Sequence, residues 1–268
     1  MNINQKIDII CERIEGFRLH NPKLARLSYS GGRDSHLLLH LIRKTMGYSN
    51  EQFPAIYADT RNEFAEIRRR IKEQDITIVD GGYRLFKVFE TEGLPLWSKL
   101  FSKYYNDVYV KHWNVRYTNE RIKEDYENRC KWANSCGLCL SDKCCKFLKE
   151  DVLNKNKTRI VGLRKEEGGR RAFGASKNYD FCVKNSKVLF KPIFDITTSE
   201  LALMEKMLAI KPLNIYNYLD RTGCVMCGFG SKKQLAEKIN YLRWYEPARA
   251  EFYMKYFSEY LKFRRIMY

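Results

Sequence analysis

Leu24-Ala25-Arg26-Leu27-Ser28-Tyr29-Ser30-Gly31-Gly32-Arg33-Asp34-Ser35-His36-Leu37-Leu38-Leu39 decides the fold. The apolar run Leu24–Ser28 predicts a short strand, Ser30-Gly31-Gly32 a turn, and the periodic leucines from Asp34 to Thr45 a helix. Glycines let backbone N–H groups approach an anion closely, and the start of a helix adds partial positive charge. Ser28, Ser30 and Ser35 bring hydroxyls to this turn, and Arg33 brings a positive charge. Asp34 either caps the helix or helps hold Mg²⁺ between phosphates. The plain alternative is a tight strand-to-helix turn closed by a serine.

Outward from this point the same alternation recurs. Residues 4–18 form an amphipathic pattern with Ile7, Ile10, Cys11 and Ile14 on one face, broken by Asn21-Pro22. Strands are predicted at Phe53–Tyr57, Ile76–Val79 and Arg159–Leu163, and a helix at Glu63–Gln74. Strands alternating with helices argue for an α/β fold with a doubly wound parallel sheet, whose ligands sit beyond the carboxyl ends of the strands. Asp59 and Asp195 both follow strand-like runs. His36 and His40 stand one helical turn apart, but no third ligand accompanies them, so helix packing is the expectation.

Between residues 95 and 150 the pattern changes. Trp97, Tyr104, Tyr105, Tyr109, Trp113, Tyr117 and Trp132 interleave with Lys99, Lys103, Lys111, Arg116, Arg121 and Lys123. Such an insert can stack bases and hold phosphates, or it can be a helical lid whose aromatics pack inward. From Lys232 onward, Leu235, Ile239, Leu242, Tyr253 and Tyr256 predict helices, with a break at Pro247. The expected organisation is a nucleotide-binding domain over 1–230, carrying the insert at about 95–150, and a helical segment over 231–268.

The chain has 268 residues, with 49 Lys+Arg against 32 Asp+Glu and a net charge of +17. A hydrophobic content of 44% is enough for a packed core and excludes general disorder. No run reaches the roughly 18–20 apolar residues of a membrane helix, and the N-terminus lacks an export signal, so the expected location is cytoplasmic. The charge favours a polyanionic partner, although a lysine-rich solvated surface accounts for it equally.

Nine cysteines in a reducing compartment point to metal ligands or redox groups rather than disulfides. Cys144-Cys145 and Cys224-Val225-Met226-Cys227 supply four thiols from two distant segments, enough for a [4Fe–4S] cluster or a tetrahedral Zn²⁺. Adjacent cysteines are unusual for zinc. Cys136-Gly137-Leu138-Cys139 paired with Cys224 and Cys227 makes a conventional Cys₄ zinc set, and reduced structural thiols are the third option.

Ser30-Gly31-Gly32-Arg33-Asp34-Ser35 resembles the SGGxDS loop of the PP-loop ATP pyrophosphatase superfamily. Three further segments, in order, resemble its phosphoadenosine phosphosulfate (PAPS) reductase-like branch. Asp59-Thr60-Arg61-Asn62-Glu63-Phe64 has Arg61 where glycine is usual, and Gly162-Leu163-Arg164-Lys165-Glu166-Glu167-Gly168-Gly169-Arg170-Arg171 has Gly168 for serine. Lys191-Pro192-Ile193-Phe194-Asp195-Ile196-Thr197 has Ile196 for tryptophan. The resemblance implies an adenine nucleotide alpha hydrolase-like fold. It also implies that ATP and Mg²⁺ are held by Ser28, Ser30–Ser35, Asp59, Thr60, Gly162, Arg164 and Glu167. Asp34, Arg164 and Arg171 would be the catalytic residues, the arginines forking onto phosphate or sulfate with Glu167 orienting one of them. It further implies a [4Fe–4S] site on Cys144, Cys145, Cys224 and Cys227, leaving Cys136 and Cys139 free to carry a persulfide.

The chain departs from sulfonucleotide reductases in two ways. It has no cysteine after Cys227 to serve as their C-terminal nucleophile, and its phosphate loop is intact. Both departures direct the reading towards adenylation of an acceptor, followed by displacement of AMP by a sulfur donor. The charge and the aromatic insert favour tRNA or DNA as acceptor. The alternatives are an APS/PAPS reductase, an ATP sulfurylase-like subunit, and a nucleic-acid-binding protein with a structural metal.

Overall fold

The computed structural model describes residues 2–112, 120–155, 158–167, 181–184 and 187–266. Among them eight strands follow in chain order: β1 (Leu27–Ser28), β2 (Ala55–Asp59), β3 (Thr77–Asp80), β4 (Leu96–Trp97), β5 (Thr158–Val161), β6 (Phe181–Lys184), β7 (Lys187–Phe190) and β8 (Gly228–Phe229). Two compact units emerge, neither continuous in sequence: residues 1–59, 66–80 and 151–213, and residues 60–65, 81–150 and 214–268.

The first unit is the α/β sheet. Its order is β3-β2-β1-β5-β7-β6, parallel except for the antiparallel edge strand β6. Strands flanked on both sides lose their alternating pattern, because both faces are covered. Accordingly Ala55 to Ala58 of β2 are all buried, and Leu27 and Ile160, paired across β1 and β5, are fully so. Helix Ile3–His20 starts at an Asn2/Gln5 capping box and buries Ile7, Ile10, Ile14 and Phe17. Phe17 stacks on Phe190 at 4.7 Å. Cys11, on the edge of that face, is half-buried, and burial pushes its thiol up to about 11.

Chain order sets the location of the ligand crevice. From β1 the chain builds outward through β2 and β3 on one side, then returns to place β5 and β7 on the other. The reversal falls between β1 and β5, and the crevice of a doubly wound sheet opens at that switch, beyond the carboxyl ends of the two strands.

The second unit is mostly helical. It contains helices Leu85–Glu92, Lys99–Tyr105, Glu120–Ser135, Lys232–Tyr245, Pro247–Tyr256 and Ser258–Phe263. A short parallel pair, β4 with β8, joins two distant parts of its chain. Pro247 occupies the start of its helix, where a missing N–H costs nothing. The aromatics of the insert pack inward where described: Trp97, Tyr104 and Tyr105 are buried, and Trp97 sits edge-on to Phe101, Trp132 and Tyr260. Trp113, Arg116 and Tyr117 lie outside the described residues. No described helix is long and apolar enough to cross a membrane.

Candidate nucleotide site and cysteine centre

The carboxyl end of β1 leads directly into the glycine turn. Tyr29 remains buried, its N–H bonded to the Ile56 carbonyl at 2.9 Å. Gly31 then adopts φ +75°, a left-handed conformation in which a Cβ would lie 2.8 Å from Ile67 and 2.9 Å from Ile71. Glycine is required here on both counts. Gly32 is the N-cap of the helix Arg33–His40 and has no side chain with which to close it. A helix start of that kind suits an anion.

The two serines shape the turn rather than cap the helix. Ser35 Oγ accepts from the Ser30 N–H at 3.1 Å and donates to the Gly32 carbonyl at 3.1 Å. The Ser30 and Ser35 hydroxyls are 3.0 Å apart, and the Gly32 N–H reaches Ser30 Oγ at 3.4 Å.

The end of β5 closes the other side. Gly162 lies so close to the loop that a Cβ there would stand 2.7 Å from the Ser35 nitrogen. Two residues on, Arg164 is buried and its Nε pairs with the Asp34 carboxylate. The same guanidinium donates to Thr198 Oγ1 at 3.0 Å and to Glu166 at 3.4 Å. Glu166 in turn accepts from the Thr198 hydroxyl and backbone, which holds its carboxyl below the usual range. Asp34, Gly162 and Arg164 thus meet at the switch between β1 and β5.

The remaining sequence candidates have other surroundings. Arg33 is engaged by buried Glu205, with Nε 3.1 Å from both carboxylate oxygens. Glu166 joins Asp34 and Thr198 in holding Arg164, and the N–H of its neighbour Glu167 bonds the Arg164 carbonyl at 3.3 Å. Ser28 and Asp59 end β1 and β2. Asp195 is held by Arg13 at 2.9 Å. Arg171 lies outside the described residues. His36 shares a hydrogen bond with Tyr29 Oη at 3.0 Å, and burial, with Arg70 and His40 adding to it, lowers its pKa to about 4. It is a neutral packing histidine.

In the second unit, Cys144, Cys145, Cys224 and Cys227 line one small cavity together with Thr60, Asn62 and Lys149. Its volume of about 20 Å³ is room for a single water-sized body. Among the described residues no three His, Cys, Asp or Glu side chains stand at ligating distances, so the four sulfurs converge without forming a ready-made coordination shell. Cys136 and Cys139 do not line this cavity; the Cys139 thiol points to the Glu92 carbonyl at 3.7 Å.

Electrostatics distinguish the four thiols. Cys144 and Cys145 share a hydrogen bond that raises the pKa of Cys144 and lowers that of Cys145, with Lys99 and Lys149 lowering Cys145 further. Burial pushes Cys227 up to about 11. Lys149 is held charged by Cys224 first and by Glu63 second, the latter at 3.8 Å.

The turn bearing Cys224 and Cys227 is fixed by a residue that the sequence did not single out. Asn62 accepts from the Met226 N–H at 2.8 Å, and its own carbonyl accepts from the Val225 N–H at 2.7 Å. Lys238 donates to the Cys224 and Cys227 carbonyls at 3.2 and 2.8 Å, and Tyr253 donates to the latter at 3.1 Å. Thr60 is buried and gives its hydroxyl to Glu63 at 2.6 Å. The only advance signal was the place of Asn62 and Glu63 within a segment singled out for a different role.

No family profile matches the chain, and no curated protein matches it in sequence. Among solved structures, it is similar to a phosphoadenylyl-sulfate (PAPS) reductase from Candida auris, with a TM-score of 0.42 and 12% identity, covering 79% of this chain and 89% of that one. An NH₃-dependent NAD synthetase from Campylobacter jejuni aligns with a TM-score of 0.40 and 14% identity over 95% and 93% of the two chains. The U34-tRNA thiolase NcsA from Methanococcus maripaludis, solved with its [4Fe-4S] cluster, aligns at 0.35 and 16% identity over 95% and 80%.

Proposed function

We propose that the chain is an ATP-dependent adenylating enzyme of the PP-loop type that prepares an acceptor for sulfur transfer. The observation that carries this reading is the closed corner at the β1/β5 switch. There a left-handed glycine and a helix start without a capping side chain meet the Gly162 segment, and Asp34 fixes Arg164 beside them, a set of groups that suits a polyphosphate. An acceptor oxygen attacks the α-phosphorus, the α–β phosphoanhydride bond breaks, and pyrophosphate leaves. The first-turn N–H groups and the Ser30 and Ser35 hydroxyls meet the charge that develops on the leaving oxygens. Arg164, held by Asp34, Glu166 and Thr198, would present its remaining N–H donors to the phosphates without needing to reorganise. Asp34, which orients Arg164, would also help hold Mg²⁺, and the ion would supply charge neutralisation for the phosphates. A sulfur nucleophile of the hydrosulfide or persulfide class then displaces AMP.

The cysteine cavity fits a thiolate-bound metal in its donor chemistry: four cysteines line it and no carboxylate or imidazole does. Cys144, Cys145, Cys224 and Cys227 would hold a [4Fe–4S] cluster, with Zn²⁺ as the alternative, and Lys149 would balance the thiolate charge. Four thiolates would close every iron of the cluster, so the group would supply a soft Lewis-acid site for sulfur only with Cys144 or Cys145 left off it.

Calorimetry with Mg²⁺ and a non-hydrolysable ATP mimic tests the nucleotide site, and its failure ends the adenylation reading. Iron and zinc assays on anaerobically purified protein, with a visible spectrum, test the metal. Pyrophosphate release that depends on tRNA or DNA is the expected activity. Sulfite release from PAPS would replace it with the reductase reading.

A further inference from the structure

A second cavity, far larger than the cysteine one, lies in the helical unit. Its volume is about 460 Å³, within the range of small-molecule sites. Trp97 and Ser98 of the insert, Asp125, Asn128 and Arg129 of helix Glu120–Ser135, Gly230, and the C-terminal residues Phe263, Arg264 and Arg265 line it.

Its charges do not cancel. Arg129 is paired with Asp125 on its own helix, the Nε at 3.0 Å from the carboxylate. Arg264 donates to Tyr260 Oη at 2.6 Å and to the Gly230 carbonyl at 3.4 Å, both neutral acceptors. Among the described residues no carboxylate pairs with Arg264 or Arg265, and Arg265 is exposed. Two uncompensated guanidinium groups therefore face a cavity with one carboxylate, which is already engaged.

Its wall is aromatic. Phe263 is 40% exposed; its ring lies against Trp132 at 4.6 Å and stands edge-on to Trp97 at 5.7 Å. Trp97 holds φ +59°, a conformation that a bulky side chain avoids. Neighbours impose it: its N–H bonds Tyr260 Oη at 3.0 Å, and its carbonyl accepts from the Gly230 N–H at 3.0 Å. Backbone forced into sparse regions concentrates where a side chain must be placed for a ligand.

We infer that this cavity seats one nucleotide of a single-stranded nucleic acid. The base lies against Phe263, with Ser98 and Asn128 offering donors and acceptors to its edge, and Arg264 and Arg265 take the flanking phosphates. A flat ring next to an anion is what this pairing of an exposed aromatic with guanidinium groups that meet no described carboxylate recognises, and the net charge of +17 suits a polyanionic strand. β8 connects the Cys224–Cys227 turn to Gly230 on the cavity rim. The inference deepens the proposed function by naming the acceptor class, and it rests on that reading only in calling the strand an acceptor.

Fluorescence anisotropy with labelled dT and U oligonucleotides, repeated across salt concentrations, tests it. Arg265→Glu should weaken binding at least about tenfold, and Arg265→Ala should lower the salt slope by about 0.7, the value for one phosphate of a single strand. Asp125→Asn frees Arg129 and should tighten binding, a change of opposite sign that misfolding does not produce. All three variants should keep the wild-type melting temperature and wild-type affinity for the Mg²⁺–ATP mimic. Loss of ATP affinity in the wild type, with strand binding retained, would sink the adenylation reading alone. Strand binding unmoved by either charge variant, or binding of free AMP with none of the oligonucleotides, overturns the cavity assignment.

Discussion

Replacing Gly162 by alanine tests the nucleotide corner most directly, because the new methyl meets loop backbone rather than a side chain that can turn aside. A Cβ at this position would stand 2.7 Å from the Ser35 nitrogen and 2.8 Å from the Asp34 carbonyl carbon, both closer than side-chain carbons approach. Overpacking of this kind costs about 1–3 kcal/mol. Alanine stiffens the unfolded chain and returns about 0.4–1 kcal/mol of that. The net destabilisation is therefore about 2.5 kcal/mol at most, a modest fall in melting temperature at roughly 2–4 °C per kcal/mol. The effect on ligand should be larger in proportion. Displacing Ser35 and Asp34 moves first-turn N–H groups, and each hydrogen bond to a charged oxygen is worth about 1.5–3 kcal/mol. Calorimetry with the Mg²⁺–ATP mimic should show affinity falling roughly ten- to hundredfold. Gly16→Ala provides the control, since a Cβ there meets nothing within 4 Å; in a helix interior it should stabilise by about 0.5–1 kcal/mol and leave nucleotide affinity unchanged. Wild-type affinity in Gly162→Ala would show that the corner does not hold phosphate.

Three further outcomes follow from the same geometry. Cys144→Ser and Cys224→Ser should each strip iron or zinc from anaerobically purified protein, whereas Cys136→Ser and Cys139→Ser, outside the cavity, should retain it; equal loss in all four would refute the ligand set. Asn62→Ala leaves the buried Met226 N–H without its acceptor, so chemical denaturation should show a loss of about 1–3 kcal/mol, and a chelator should remove metal faster. His36 has a folded-state pKa of about 4, below its unfolded value, because burial disfavours the charged ring. The unfolded chain therefore binds the extra proton, and the contribution is complete above about pH 6.5 and lost as pH falls towards 4. The loss is at most about 3 kcal/mol. Urea midpoints measured from pH 4.5 to 7.5 should show this slope in the wild type and a flatter one in His36→Gln.

Local chemistry was readable where neighbours in sequence decide it. The predicted strand Phe53–Tyr57 is observed at Ala55–Asp59 and Ile76–Val79 at Thr77–Asp80, and Pro247 separates two helices as expected. The helix predicted over Asp34–Thr45 is regular only to His40 and continues to Thr45 as a wider turn. Long-range pairing was not readable. Arg33 carried a charge beside a phosphate loop, and nothing local pointed to the buried Glu205 that takes it. Nothing local to Glu166 pointed to the Thr198 hydroxyl and backbone, contributed by a later helix, that hold it. The aromatic insert gave no period because its rings answer to Tyr260 and Phe263 at the far end of the chain.

The segment from Asp59 to Phe64 shows how far a motif can carry the reading. As a sequence it is one six-residue signature, yet the chain passes within it from one compact unit to the other. Asp59 closes β2, while Thr60, Asn62 and Glu63 turn their polar groups to one another, to Met226 and to Lys149. Arg61 takes φ +55°, a left-handed conformation that glycine adopts more readily. A left-handed residue costs a non-glycine side chain roughly 1–2 kcal/mol, and the residue that follows this one, Asn62, bonds the Met226 and Val225 N–H groups of the Cys224–Cys227 loop. The same six residues that close the sheet's second strand thus set the position of two of the four thiols, and the spacing between Thr60 and Asn62 is as much a part of the cysteine centre as the cysteines themselves.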